Sequence, residues 1–261
     1  MQRAIFITVR SASTRLPAKC YLEIEGVPTI VHVIRRMKRC RKADGIIVCT
    51  TDLPEDDRLC RLAEAEGALF FRGSVKDKLA RWQGAARHHQ VEFFVTADGD
   101  DLLCEPELVD MAFDQYGRTQ ADFIEGKGLV CGSFTYGIAA SALEKVCQMK
   151  DTDDTEMMWV YFTQTGMFKT EALENVPHLF VRDDIRMTLD YQDDFIFFQK
   201  IFSHFWRLEK KDFSLRDVIA FLGEHPDIIK INQHRQEEFL QNQKKKTNLV
   251  LKGQETHDKK S

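Results

Sequence analysis

The 261-residue sequence lacks an excess of either charge: 37 Lys and Arg stand against 41 Asp and Glu, a formal net charge of −4. Bulk attraction to nucleic acid is not indicated. It also lacks a close C-x-x-C pair. Its seven cysteines, Cys20, Cys40, Cys49, Cys60, Cys104, Cys131 and Cys147, are odd in number. This usage points to reduced thiols in a cytoplasmic protein and away from a disulfide framework or a zinc site. The apolar stretch from Ala4 to Val9 is too short for the apolar region of a signal peptide and runs straight into Arg10, so no targeting segment or membrane association is expected. The G-x-x-x-x-G-K-[ST] spacing of a Walker loop is missing, and so is any internal repeat. What remains is an ordinary globular composition, 43 % apolar and 30 % charged, sufficient to bury a core. The length suits one α/β-sized domain with some elaboration.

The pattern of elements supports that class. Ala4–Val9 reads as a buried strand feeding an ordered loop at Arg10–Lys19. After Pro28, Ile30, Val33, Ile34 and Met37 recur at helical spacing with Arg35, Arg36, Lys38 and Arg39 between them, an amphipathic helix. Strands at Gly45–Thr51, Ala68–Phe71 and Val91–Ala97 alternate with helices at Glu55–Glu66 and Lys76–His89. Such alternation with short connections predicts a parallel sheet with helices on both faces, and functional loops at the carboxyl ends of its strands. Beyond about Ala121 the alternation loosens. Ser133–Ala140 is strand-like, Thr155–Thr163 helical, Leu179–Leu189 extended and Gln192–Phe205 helical. This second half is expected to extend the sheet and cover the site. Residues 241–261 are polar and are expected to be a disordered tail, in which Lys244-Lys245-Lys246 reads as a solvated charge run.

Two loops at strand ends carry chemistry. Arg10–Lys19 packs three cations, small hydroxyl residues and a rigid Leu16-Pro17 into ten positions, the kind of surface that holds a triphosphate, although a solvated basic loop would have the same composition. Asp98-Gly99-Asp100-Asp101 gathers carboxylates directly after an apolar strand. Their repulsion calls for a cation, and a hard metal such as Mg²⁺ held by carboxylates and substrate phosphates is the natural occupant. At least one of them also suits the polar end of a strand ahead of the helix near Pro106. A third acidic group follows at Asp190, Asp193 and Asp194. Asp193 and Asp194 fall in the first turn of a helix, where negative charge is favoured, which leaves Asp190 as the candidate ligand.

These residues resemble the cytidylyltransferase family of CMP-sugar-acid synthetases, within it the branch of spore-coat polysaccharide proteins similar to CMP-Kdo synthetases. Val9-Arg10-Ser11-Ala12-Ser13-Thr14-Arg15-Leu16-Pro17-Ala18-Lys19 is similar to A-R-x-G-S-T-R-L-P-G-K, with both glycines replaced by alanine. Pro54-Glu55-Asp56-Asp57 follows a Thr-Asp pair as in T-S-D-x-P-E-D-D. Phe71-Arg72-Gly73-Ser74 with Asp77, Leu79 and Arg81 resembles F-R-G-S-x-x-D-V-L-x-R. Gly99–Glu107 resembles G-D-x-P-L-I-D-P-E, and Arg186–Asp194 resembles R-x-T-V-D-x-P-E-D, each with a proline lost. The resemblance spans about residues 4 to 205.

The resemblance implies a Rossmann-like, GT-A-like nucleotidyltransferase fold, a mixed and mostly parallel sheet flanked by helices. It implies a single domain over residues 1–240, with a nucleotide-binding half to about residue 120 and a sugar-binding and dimerisation half from about 121. The implied activity joins CMP from CTP to a Kdo- or nonulosonate-like sugar acid with release of pyrophosphate, for surface polysaccharide or glycan synthesis. Arg10, Arg15 and Lys19 carry over as phosphate ligands with catalytic roles and Ser13 as a loop contact. Asp100 and Asp190 carry over as the Mg²⁺ carboxylates. Arg72 and Ser74 fall in the segment that approaches the nucleoside, and Glu156, Trp159 and Tyr161 in the acceptor-side region, with Met157 replacing a histidine. Arg182 and Arg186 are the candidate partners of a sugar carboxylate, Arg182 having Asp183 and Asp184 as surface alternatives. A homodimer is implied as well. Two other readings compete: a glycosyltransferase using Asp98-Gly99-Asp100 as a D-x-D motif, and a nucleotide-binding regulatory protein that has lost turnover.

Overall fold

A computed structural model describes residues 1–253. The first strand, β1 (Arg3–Thr8), has Ala4 to Ile7 fully buried, as a continuous apolar run must be when both sheet faces are covered. A short hairpin of β2 (Glu23–Ile24) and β3 (Val27–Pro28) leads into helix α1 (Thr29–Met37). Then follow β4 (Gly45–Thr51), α2 (Asp57–Ala65), β5 (Leu69–Gly73), α3 (Lys78–His89), β6 (Phe93–Asp98) and α4 (Pro106–Thr119). The expected strand-helix alternation is present throughout this half.

The second half adds β7 (Phe123–Glu125), β8 (Tyr136–Ala139), α5 (Ala140–Met149), the short α6 (Val160–Thr163) and β9 (Thr170–Ala172). Helices α7 (Gln192–Arg207), α8 (Leu215–Glu224), α9 (Pro226–Ile229) and α10 (Arg235–Lys246) complete it. One seven-stranded sheet runs β5-β4-β1-β6-β8-β7-β9. Only β8 is antiparallel to its neighbours, so the sheet is mixed and mostly parallel. The chain first builds outward from β1 to β5 and then returns to the other side of β1 with β6. That reversal places the crevice for a ligand beyond the carboxyl ends of β1 and β6, where Thr8 pairs with Asp98.

Three expectations change. Helix α1 does not leave all its basic residues in solvent: Arg36 is buried, donating to Cys104 O at 2.8 Å, Phe213 O at 2.9 Å and Glu105 Oε2 at 2.8 Å. A buried guanidinium needs such a full set of acceptors. The stretch Leu179–Leu189, expected to be extended, begins in a 3₁₀ turn at His178–Phe180 and then touches other strands only through isolated bridges. Residues 241–246, expected as disordered tail, continue helix α10, and Leu251 bridges to Lys150. Residues 254–261 of that expected tail lie outside the described residues.

Candidate active site

Loop 10–19 leaves β1 and is fixed at its root by Asp56, a fully buried carboxylate. Asp56 accepts from Ser11 N at 2.8 Å and from Thr50 Oγ1 at 3.0 Å, and it also holds Thr51 Oγ1. The acidic group at residues 54–57 therefore holds the basic loop in place. At the loop's far end Ala18 adopts φ 52°, the left-handed region, where the similar family pattern has glycine. A residue with a Cβ pays roughly 1 kcal/mol for that conformation.

The loop folds over the acidic end of β6. Lys19 Nζ donates to Asp100 Oδ2 at 2.6 Å, to Asp190 Oδ1 at 2.9 Å and to Leu189 O at 2.7 Å. Arg15 pairs with the same Asp190 oxygen. Asp100 and Asp190, ninety residues apart in sequence, thus meet on one ammonium. Burial works against the charged form of Asp190, but Lys19 and Arg15 outweigh it and bring its carboxyl down to about 2. Burial raises the Asp100 carboxyl; Lys19 opposes the rise, while Asp190 and Asp98 add to it. Asp101 is pushed up well above the ordinary range, by burial first and then by Asp100 and Asp98.

Asp98, Asp100 and Asp101 can each bring a carboxylate oxygen within 4.8 Å of the others. All of these donors are hard oxygens whose mutual repulsion a divalent cation would relieve, so the residues fit such an ion. Asp190 reaches this group through Lys19. Its own position comes from Asp194, which accepts from Asp190 N at 2.8 Å and Tyr191 N at 2.9 Å at the start of α7. Asp194 also accepts from Arg186 Nε at 3.0 Å. First-turn placement of Asp193 and Asp194 is as expected from the sequence.

A cleft of about 510 Å³ opens over these groups. It takes in Arg10, Ser13, Arg15, Lys19, Asp98, Asp100, Asp101, Glu156, Met157, Trp159 and Asp190. Arg10 reaches Val75 O at 3.4 Å and lies 3.8 Å from Glu156. The remaining expected site residues face elsewhere. Arg72 donates to Thr51 O at 3.1 Å and Leu53 O at 2.8 Å and pairs with Asp57 at 2.6 Å, which ties β5 to the end of β4. Ser74 Oγ accepts from Asp77 N at 3.1 Å. Neither borders the cleft. Tyr161 is buried, with its hydroxyl on the backbone of Val250 at 3.3 to 3.4 Å. Arg186 is buried between Asp194 and Asp190, so it positions a carboxylate and does not line the cleft. Arg182 pairs with Asp184 at the surface, donating from Nε at 2.8 Å.

Several wall residues carry no sequence signal of their own. Lys78 pairs with Asp98 at 3.1 Å and lies over Trp82, whose Nε1 donates to Thr8 Oγ1 at 2.8 Å. Gly132 has φ +82° and a Cβ there would stand 2.0 Å from Met187 O, so only glycine lets this wall close on the Asp190 segment. Gln236, Phe239, Leu240, Gln243 and Lys246 of α10 also border the cleft. The apolar triplet Leu249-Val250-Leu251 is the signal that the chain beyond 240 returns to the body of the protein.

A basic loop set against a carboxylate cluster, at the point where a mostly parallel sheet reverses its strand order, defines a nucleotidyltransferase. The comparison with known proteins narrows the class. Residues 4–245 match the cytidylyltransferase family, and the chain belongs to it. An uncharacterized protein of Methanocaldococcus jannaschii is 30 % identical over 230 residues, 87 % of this chain and 93 % of that one. A 3-deoxy-manno-octulosonate cytidylyltransferase of Anaeromyxobacter dehalogenans is 34 % identical over 164 residues, 62 % of each chain. A solved cytidylyltransferase of Leptospira borgpetersenii superposes with a TM-score of 0.79 at 25 % identity, covering 88 % of this chain and 97 % of that one. The family assignment sets aside the glycosyltransferase reading of Asp98-Gly99-Asp100. No helix among the described residues is long and apolar enough to cross a membrane.

Proposed function

We propose that this cytidylyltransferase takes CTP and transfers CMP to the anomeric hydroxyl of a 2-keto sugar acid of the Kdo or nonulosonate kind. The observation that carries the reading is the meeting of Lys19 and Arg15 with Asp100 and Asp190 at one end of the cleft. In the reaction the sugar hydroxyl attacks the α-phosphorus in line and gives its proton to water, a new P–O bond forms, and the bond to the β-phosphate breaks as pyrophosphate leaves with its electrons. Positioning and charge neutralisation dominate such transfers.

Arg10, Arg15 and Lys19 take the phosphates and stabilise the leaving pyrophosphate, with Ser13 completing the loop's contacts. Asp100 and Asp190, with Asp98 and Asp101 beside Asp100, are the residues that would hold Mg²⁺. The bound ion supplies Lewis-acid polarisation of the phosphate and neutralises charge. Because the same cations pair with these carboxylates in the free protein, nucleotide binding exchanges one set of ion pairs for another. Lys19 and Arg15 move from carboxylate to phosphate as partners. Glu156 and Trp159 line the acceptor end. The sugar acid is supported by the likeness to a 3-deoxy-manno-octulosonate cytidylyltransferase.

A pyrophosphate-release screen tests this by crossing the four NTPs with Kdo, neuraminic, legionaminic and pseudaminic acids and with simple polyols. Release that needs both CTP and a sugar acid is the expected result. Release with CTP and a neutral polyol alone would overturn the acceptor class. CTP binding with no release across the whole panel would favour the regulatory reading.

A further inference from the structure

Helix α10 lies across the mouth of the cleft without burying a single one of its residues. Such a helix draws little stability from packing, and its position is set by polar contacts at its two ends. Near its start Arg235 donates to Asp193 at 2.9 Å, Gln236 accepts from Arg186 at 3.3 Å and Phe239 stacks on the Arg186 guanidinium at 4.5 Å. Near its finish Lys246 reaches Glu156 at 3.2 Å, and the following chain is pinned by Asp151 N on Val250 O at 3.0 Å. One end is therefore tied to the segment that positions Asp190 and the other to the segment that carries Glu156.

Every hydrogen bond and ion pair that α10 makes to the rest of the protein, among the described residues, goes to the second half of the chain. None goes to loop 10–19 or to the cleft wall at Val75–Arg81. Gln236, Phe239, Leu240, Gln243 and Lys246 recur at helical spacing and border the cleft together. Gln243 makes no side-chain hydrogen bond among the described residues, and Leu240 is 52 % exposed. An amide and an exposed aliphatic group on a cleft wall are suited to a polyhydroxylated ring. Lys246 is 46 % exposed with one carboxylate partner, so its ammonium, with three donors, retains capacity for a second anion.

We propose that α10 is the acceptor-side wall of the cleft, with Leu240 and Gln243 contacting the sugar and Lys246 taking its carboxylate. The carboxylate part rests on the sugar-acid reading above, whereas the placement of α10 does not. On this assignment the acceptor competes with Glu156 for Lys246, and CTP binds without help from the helix.

The test uses the full chain as wild type, Leu240→Ala, Gln243→Ala and Lys246→Gln, assayed for pyrophosphate release with CTP and the acceptor panel. CTP affinity is measured separately by calorimetry. Leu240→Ala and Gln243→Ala should raise the acceptor KM by on the order of tenfold, the scale of one lost pocket contact, and leave CTP affinity unchanged. Lys246→Gln should in addition reduce the preference for carboxylated over neutral acceptors. An unchanged acceptor KM in all three variants overturns the proposal, and so does a parallel loss of CTP affinity. If wild type prefers a neutral polyol, the sugar-acid reading and the role of Lys246 fall. The wall itself then stands only if Leu240→Ala and Gln243→Ala raise that polyol's KM. If no acceptor is turned over, the sugar-acid reading falls as well. CTP affinity unchanged in the variants then sustains α10 as a wall outside the nucleotide site, and weakened CTP binding overturns it.

Discussion

At the scale of single residues, the free protein keeps its carboxylates in check with the cations expected to meet phosphate. Among the described residues, Asp190 is held by Arg15, Lys19 and Arg186, and Asp100 by Lys19 alone. Replacing either carboxylate by Asn keeps size while removing an anionic ligand. Asp100→Asn and Asp190→Asn are each expected to lower turnover by on the order of a hundredfold in a Mg²⁺-dependent pyrophosphate assay. Asp98 contacts Lys78 and does not reach Lys19, so Asp98→Asn should be milder. Equal loss in all three would make the whole Asp98–Asp101 cluster the working unit, and normal activity in Asp100→Asn would remove it from the mechanism. The sequence resemblance singled out Asp100 and Asp190, and the structure brings both to Lys19. The sequence could not show that Arg186, in the non-helical stretch ahead of α7, would be enclosed by acids instead of facing a sugar, because burial depends on what packs above it.

Elements are joined here by polar side chains placed inside the helix layers. His32 of α1 is buried against Phe202 of α7, ring centroids 4.4 Å apart, and its Nε2 donates to Ile24 O at 2.9 Å. Burial lowers its pKa below the usual histidine range, more than the backbone acceptor at Ile24 raises it. The folded state therefore favours the neutral ring. The associated stability is present above the unfolded pKa of about 6.5 and is lost as pH falls through that value towards the lower folded one. Denaturant midpoints measured from pH 7.5 to 5 should fall in wild type and fall less in His32→Gln. Identical slopes would show that other groups govern acid sensitivity. Helical periodicity identified α1 and its apolar face, yet it grouped Arg36 with Arg35, Lys38 and Arg39. Only the arrival of Glu105 and Phe213 from distant segments turns that position inward.

For the whole molecule, the two halves meet along the sheet and the cleft lies across their junction. Phe134 and Phe162 are buried, and Phe134, Tyr136 and Trp159 border the cleft. A dimer would draw on exposed apolar residues of the second half such as Met167, Leu179, Val181 and Leu208. Sedimentation at micromolar concentration is expected to show a homodimer, the assembly implied by the family resemblance. A species of one chain's mass throughout that range would exclude it.

The local pattern of residues was sufficient for the first half of the chain. A short apolar run bounded by polar residues suits an interior strand, alternating strands and helices favour a parallel sheet, and a basic loop after such a strand arrives at its carboxyl end. Those rules act over short stretches of chain and need no knowledge of distant partners. The second half of the chain obeys no comparable local rule. Arg72, Ser74 and Tyr161 look like site residues in one dimension and become braces in three: Arg72 donates to the Thr51 carbonyl, Ser74 accepts from the Asp77 backbone N–H, and the Tyr161 hydroxyl pairs with the backbone of Val250. Helix α10 reads as a polar tail for the opposite reason. Its composition gives it nothing to bury, and its place over the cleft follows from Asp193, Arg186 and Glu156, contacts that exist only once the chain has folded.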